Sequence, residues 1–346
     1  MKIVFLLFPF LMLLSSCTSH QQTVVTINEV FQTDRDESAN IDSPAIWHGP
    51  NGEHWILATA KEADGIFIAD ATNGQHIQIF GSKGQAPGQF NRPNGIFIFD
   101  DHAFVVERDN QRVQVLKLPE FSSIGFIGTE LLTKPYGLFI YRDAEGINHL
   151  FVTDSYETAE GNIPPLSDLD RRIHHYTFTI NNNTLDWQMV RMFGDTTAPG
   201  ALSIVESIWG DPDYGQLLIA EEDTNQNVIK VYDLQGNYSG VTFGQSLFKG
   251  QVEGLALYQS GEKHGYWIIT DQSHSDNRFH LFTRGDFKHV GSFRGSKTTN
   301  TDGIWLTRKS FGNFEMGAFF AVNDDGNVSA FDFKAIAEAL GLSLND

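Results

Sequence analysis

The chain is predicted to fold as an all-β, six-bladed β-propeller, and three observations carry that prediction. One pattern recurs six times at a spacing of roughly 40 to 50 residues, the length of a propeller blade. Each copy runs from a polar residue and a small residue into an apolar strand, a turn, a second strand ending in polar or acidic residues, and a third, alternating run. The composition, with 28 Phe and 32 Gly among 346 residues, favours strands joined by tight turns. An all-β sandwich would explain the strands but not six repeats of one phase.

The copies open in order at Asp42-Ser43-Pro44-Ala45, Asn94-Gly95-Ile96-Phe97, Tyr136-Gly137-Leu138-Phe139, Glu206-Ser207-Ile208-Trp209, Glu253-Gly254-Leu255-Ala256 and Asp302-Gly303-Ile304-Trp305. Their second strands end near Lys61, Arg108, Asp154, Asp223, Asp271 and Asp324. The one long interval holds an insertion, roughly residues 156–170, rich in Pro, Gly and acids. Third runs such as Val228-Ile229-Lys230-Val231-Tyr232 alternate as half-wetted outer strands should. Residues 334–342 read as a short helix with Ala335, Ile336, Ala339 and Leu340 on one face. His174-His175 reads as an exposed strand edge.

The first residues read as an address. Lys2 precedes an apolar stretch, Ile3 to Leu14, too short to span a bilayer, followed by Leu14-Ser15-Ser16-Cys17. This is similar to the bacterial lipoprotein signal, whose cysteine is lipidated, and Cys17 is the single cysteine of the chain. The expected organisation is a signal over 1–17, a polar tether over 18–30 and one propeller domain over 31–346. The expected location is outside the cytoplasm, lipid-anchored through Cys17, at the outer membrane of a Gram-negative bacterium, as a monomer. The formal net charge of −19 argues against nucleic acid as a partner.

Propeller geometry turns these openings into a site. The start of each innermost strand adjoins the end of the antiparallel second strand. Asp42, Tyr136, Glu206, Glu221, Glu222, Asp223, Glu253, Asp271, Asp302 and Asp324 are therefore expected at one channel mouth, with Lys61, Arg92 and Arg108. Crowded carboxylates raise one another's pKa and favour a neutralising cation. The candidate ligands are hard oxygens, which suit Ca²⁺. Glu221, Glu222, Glu253 and Asp302 are the leading group, while Asp70 and Asp233 read as turn acceptors.

The segments Asp42-Ser43-Pro44-Ala45-Ile46-Trp47, Lys134-Pro135-Tyr136-Gly137-Leu138, Tyr214 through Asp223, Val252-Glu253-Gly254-Leu255 and Asn300-Thr301-Asp302-Gly303-Ile304 stand in one order along residues 42–333. In that order they resemble the successive motifs of the β-propeller phytases. The resemblance implies a calcium-dependent phosphomonoester hydrolase acting on myo-inositol hexakisphosphate or a related phosphoester at a channel mouth. It implies Asp42, Glu206, Glu222, Glu253 and Asp302 as calcium ligands, and Asn323-Asp324 where the family closes its ring with a polar pair. Glu222, Glu206 and Tyr136 are the candidate catalytic residues, and Lys61 and Arg108 the phosphate contacts. Arg92, from a stretch similar to the linker of NHL-repeat propellers, is a third basic candidate. Five positions depart from the family: Ser43, Glu62, Ser155, Gln251 and Ser296 stand where acids or lysines are expected. A non-catalytic, lipid-anchored propeller that binds a carbohydrate, a peptide or a protein partner is the competing reading.

Overall fold

Six antiparallel sheets are arranged around a central channel in a computed structural model that describes residues 24–344. Cys17 and the expected signal segment lie outside the described residues. The innermost strands are Ile41–His48, Pro93–Phe99, Pro135–Arg142, Ile208–Asp211, Gln251–Gln259 and Ile304–Thr307. Their antiparallel partners are His54–Ala60, His102–Glu107, Asn148–Asp154, Gln216–Glu221, Gly265–Gln272 and Ala318–Asn323. The six repeats are thus six blades, in chain order.

The blades pack face to face on aromatic and branched side chains, which accounts for the abundance of phenylalanine. Phe104 of the second blade meets Phe178 of the third with ring centroids 5.0 Å apart. Phe243 meets Phe282 across the fourth and fifth, and Phe279 meets Phe319 across the fifth and sixth, each also at 5.0 Å. Such pairs contribute about 0.5–1.5 kcal/mol each beyond the area they bury.

Ring closure comes from the N-terminal side. Phe31–Gln32 pairs with Ala330 and Ser329, so the outermost strand of the last blade precedes the first blade in sequence. Arg35 fixes the seam, donating to the Asn323 carbonyl at 3.0 Å and to Asp324 Oδ2 at 2.9 Å. The stretch expected to be a tether over 18–30 contributes more than a spacer: Val25–Ile27 adds a parallel fifth strand to the fifth blade along Phe293, Arg294 and Gly295. Backbone groups at a sheet edge pair readily whatever the side chains are, so its polar flanks hid this strand.

The C-terminal helix is Phe333–Leu340, with Asp332 capping Lys334 N and Gly341 in the left-handed region at φ 62°. Its buried Phe333, Ile336 and Ala337 pack with Ile27 and Phe331. His174 and His175 are not an exposed edge. They are 2% and 4% exposed in the third strand of the third blade, where neighbouring blades cover both faces.

Candidate metal centre at the channel mouth

One backbone device, repeated, builds the mouth. In the first, second, third and fifth blades the register between innermost and second strand shifts at the mouth end, between Ile41 and Pro44, Pro93 and Ile96, Pro135 and Leu138, and Val252 and Leu255. A bulge leaves two residues out of the ladder and re-aims their side chains. Those two are Asp42-Ser43, Asn94-Gly95, Tyr136-Gly137 and Glu253-Gly254. Glu206-Ser207 and Asp302-Gly303 stand just before the paired parts of the fourth and sixth innermost strands.

The small second residue lets blades approach. A Cβ on Gly137 would sit 2.1 Å from the Glu206 carbonyl oxygen, and one on Gly95 2.5 Å from that of Tyr136. Gly303 N donates to the Asp42 carbonyl at 2.9 Å, and Gly254 N to the Asp302 carbonyl at 3.1 Å. Below this ring the channel is closed by Phe97, Phe139, Trp209 and Trp305, whose contacting rings lie 5.1 to 6.0 Å apart. The mouth above this floor is a cavity of about 80 Å³ lined by Asp42, Tyr136, Glu206, Glu253 and Asp302.

Glu206, Glu222 and Glu253 can bring one carboxylate oxygen each within 4.8 Å of one another. Glu222 Oε1 accepts from the backbone of Glu206 at 3.1 Å and of Ser207 at 3.2 Å. Its Oε2 is buried and has no hydrogen-bond partner. Lys61 Nζ lies 2.7 Å from Asp42 Oδ1 and 3.8 Å from Asp302 Oδ2. Asp302 also accepts from Gln272 Nε2.

The electrostatics follow from burial. Burial first, then the charges of Glu253 and Glu206, hold the Glu222 carboxyl far above the usual range. Glu253 and Asp302 are raised in the same way, burial leading. Glu206 is pushed up to about 7 by burial and the Asp42 charge, and Tyr136 to about 12 by burial and the Glu206 charge. Burial disfavours the Lys61 ammonium, but Asp42, Asp302 and Glu206 outweigh it and raise its pKa. The donor set therefore fits a hard divalent cation: all oxygen, short of positive charge, with an unpartnered buried carboxylate oxygen.

Of the basic candidates, Lys61 sits among the carboxylates, while Arg92 and Arg108 belong to the second blade. Arg108 Nη1 donates to the Tyr136 hydroxyl at 3.3 Å. Arg92 Nη1 is 2.5 Å from Glu62 Oε1, and its Nε is buried without a partner. The insertion after Asp154 reaches this rim, where Glu157 pairs with Lys134 beside Arg108.

Three expected metal ligands are engaged elsewhere. Glu221, wholly buried, accepts from Ser203 N at 2.6 Å, Ile204 N at 3.1 Å and Asp223 N at 3.2 Å, with Lys230 Nζ at 3.6 Å. Asn323 accepts from Thr299 N and donates to Asn327, so it ties loops together. Asp324 is turned out to Arg35 and His274. The acids ending other second strands also cap backbone: Asp154 takes Thr133 N and Lys134 N, and Asp271 takes Lys249 N and Gly250 N. Asp223 accepts from Asn225 N in a turn.

Asp325 is the acid of this turn that faces Asp302. Both Asp324 and Asp325 take positive φ, 49° and 54°, which reverses the side-chain alternation expected of a strand end. The departures from the family have partners too. Ser43 Oγ donates to Asp42 Oδ2 at 2.9 Å, Ser296 Oγ to Glu29 Oε2 at 2.5 Å, and Ser155 Oγ accepts from Val205 N at 3.3 Å.

A six-bladed propeller whose inner bulges gather carboxylates over an aromatic floor defines the class: a channel-mouth propeller with an acidic centre suited to metal. Comparison with known proteins narrows it. The phytase family model matches residues 188–337, which include Glu206, Glu222, Glu253 and Asp302. The chain is 23% identical over 332 residues to the 3-phytase of Bacillus subtilis (strain 168), covering 86% of this chain and 78% of that protein. The resemblance to the β-propeller phytases therefore stands on sequence as well as on architecture, and supports a phytase-like phosphatase at the level of the family. Among solved structures, a calcium-binding regucalcin from Agrobacterium tumefaciens strain C58 superimposes with a TM-score of 0.52 at 10% identity, over 89% of this chain and 95% of that one. This likeness confirms the propeller fold. A streptogramin B lyase matches with a TM-score of 0.48 at 13% identity, over 86% of this chain and 96% of that one.

Proposed function

We propose that the chain is a calcium-dependent phosphomonoester hydrolase acting on myo-inositol hexakisphosphate or a related phosphoester. The observation that carries this reading is the gathering of Glu206, Glu222 and Glu253 within 4.8 Å, next to Asp42 and Asp302, with Tyr136 between Glu206 and Arg108. Asp42, Glu206, Glu222, Glu253 and Asp302 would hold the cation. Bound calcium supplies the positive charge this ring lacks and Lewis acidity toward phosphoryl oxygens.

The chain's own residues divide the remaining work. Lys61 stays protonated between Asp42 and Asp302 and presents its ammonium to an entering phosphate. Arg108 of the second blade and Tyr136 of the third offer donors, as charge-assisted contacts to phosphoryl oxygens require. Burial and the Asp42 charge push the Glu206 carboxyl up to about 7 in the cation-free ring, and a bound cation would favour its ionised form. The aromatic floor keeps water from entering beneath the site.

Cys17 is proposed as a lipid anchor that holds the domain at the outer membrane, acting as a monomer. Incorporation of labelled palmitate that disappears in Cys17→Ser tests the anchor. For the reaction, phosphate release from phytate should require calcium, stop on addition of EDTA and resume with excess Ca²⁺. Absence of release from several phosphoesters at millimolar Ca²⁺ would overturn hydrolysis. The departures at Ser43, Glu62 and Ser155 favour a second reading, a non-catalytic propeller that binds a carbohydrate, a peptide or a protein partner at the same mouth. It predicts a partner recovered by pull-down that persists in Glu222→Ala.

A further inference from the structure

A second recess adjoins the mouth, an open cleft of about 570 Å³ between the second and third blades. Its lining is wholly polar: two cations, Arg108 and Lys134, two carboxylates, Asp109 and Glu157, and neutral side chains between them. Arg108 joins the cleft to the mouth, because its Nη1 donates to the Tyr136 hydroxyl at 3.3 Å and Tyr136 lines the mouth. Lys134 reaches the mouth electrostatically. Burial and the Asp42 charge raise the Glu206 carboxyl, and the Lys134 charge opposes them.

Both cations are already matched. Arg108 Nε lies 2.7 Å from Asp109 Oδ1, and Lys134 Nζ 2.5 Å from Glu157 Oε1. The two carboxylates differ in origin. Asp109 is the chain neighbour of Arg108, whereas Glu157 belongs to the insertion. The base of that insertion is pinned. Ser155 N donates to the Lys134 carbonyl at 2.9 Å, and Arg172 Nη1 donates to the Tyr156 carbonyl at 2.6 Å while its guanidinium covers the Tyr156 ring. Glu157 follows directly, so its carboxylate is placed on the ammonium by a fixed backbone. The pair is still displaceable: the two side chains are 28% and 42% exposed, and an exposed ion pair is weak.

A carboxylate held on the ammonium stands where an anionic ligand group would bind. The charge of the newcomer then decides whether exchange is favourable. A phosphoryl ester carries about −1.5 to −2 charges and three acceptor oxygens, more than the carboxylate it displaces. A sulfate ester or another carboxylate carries a single charge and gains little by the exchange.

We infer that Glu157 is a specificity-determining residue: it occupies Lys134 as an internal counter-ion, so that the cleft admits a phosphoryl group next to the one at the mouth and excludes singly charged groups. This rests on the proposed phosphoester reading and adds to it the selection by charge.

The test compares myo-inositol hexakisphosphate with myo-inositol hexasulfate, which has the same ring and one charge on each group. Binding of each to the full chain is measured by calorimetry at a Ca²⁺ concentration just saturating the mouth and at one ionic strength, because exposed charges are screened by salt. Glu157→Gln should bind the hexasulfate about fivefold tighter and the hexakisphosphate less than about twofold tighter, so the native preference narrows. Lys134→Met should bind the hexakisphosphate about tenfold weaker, as loss of a charge-assisted contact predicts. Adding Glu157→Gln to Lys134→Met should then change neither ligand by more than about twofold, because the counter-ion acts only through that ammonium. Equal tightening of both ligands in Glu157→Gln, no tightening of either, or tightening that persists without Lys134 would each overturn the inference. Native protein that shows this pattern of binding but releases no phosphate would remove the hydrolase reading and leave the selection by Glu157 standing. Native protein that binds neither ligand would remove both.

Discussion

Glu221 and Glu222 are adjacent in the chain, yet their carboxylates serve different structures. Glu221 accepts Ser203 N at 2.6 Å and neutralises Lys230, holding the loop that enters the fourth blade. Glu222 accepts Glu206 N at 3.1 Å, keeps Oε2 buried without a partner, and has a carboxylate oxygen within 4.8 Å of those of Glu206 and Glu253. Consecutive side chains at a strand end point to opposite faces, so one lies between strands and the other in the channel.

Their substitutions should separate cleanly. Glu222→Gln replaces a carboxyl whose ionisation burial and the neighbouring acids already oppose, so in EDTA it should change stability by less than about 1 kcal/mol. The same variant should lose most of the calcium-induced rise in melting temperature and the phosphate release. Glu221→Ala should keep the calcium response but lose about 3 kcal/mol, because three backbone donors and a buried ammonium lose their acceptor. Melting curves of both variants with and without Ca²⁺ check this, and a lost calcium response in Glu221→Ala would contradict the division.

Lys61 offers a third test. It is the cation between Asp42 and Asp302, and its loss leaves two carboxylates facing each other. Lys61→Ala should cost about 3 kcal/mol in EDTA, and calcium should restore part of that. Its KM for a phosphoester should rise even where stability is recovered.

Acid should weaken the fold through buried imidazoles. His48, His174, His175 and His289 are each pushed from 6.5 down to about 4, burial being the leading cause. The unfolded chain takes these protons near pH 6.5 and the folded chain only near 4. Their contribution is therefore complete above pH 6.5 and declines as pH falls to 4, in total by a few kcal/mol after solvent screening. The raised mouth carboxylates act with the opposite sign, so a single-site comparison isolates the histidines. His175 stacks on Phe151 at 4.3 Å, and His175→Phe should give a shallower loss of melting temperature than the native chain between pH 6.5 and 4.

One guanidinium reinforces the backbone pairing of the closing seam. Arg35→Ala removes donors to the Asn323 carbonyl and Asp324 and should cost about 2 kcal/mol. Limited proteolysis should then cut first near residues 24–36, with the mouth's calcium affinity little changed.

Much of this architecture is legible in the sequence. The alternation and spacing of the apolar runs carry the six blades, because strand periodicity and turn chemistry are local properties of the chain. The openings Asp42, Tyr136, Glu206, Glu253 and Asp302 were legible as one set, because repeats in the same phase must meet at the same end of a propeller. Less legible was which acid of a run faces inward. Glu221 against Glu222, and Asp324 against Asp325, differ by one residue of register and by backbone φ, which neighbouring blades impose.

The order of the blades and the acidic character of the mouth are thus written in residue type and spacing alone. The tertiary structure decided which carboxylates share the cavity, which only cap backbone, and that Val25–Ile27 and Phe31–Gln32 complete the last two blades. Those outcomes depend on contacts between residues as far apart in the chain as Phe31 and Ala330, or Gln32 and Ser329, which no local pattern encodes.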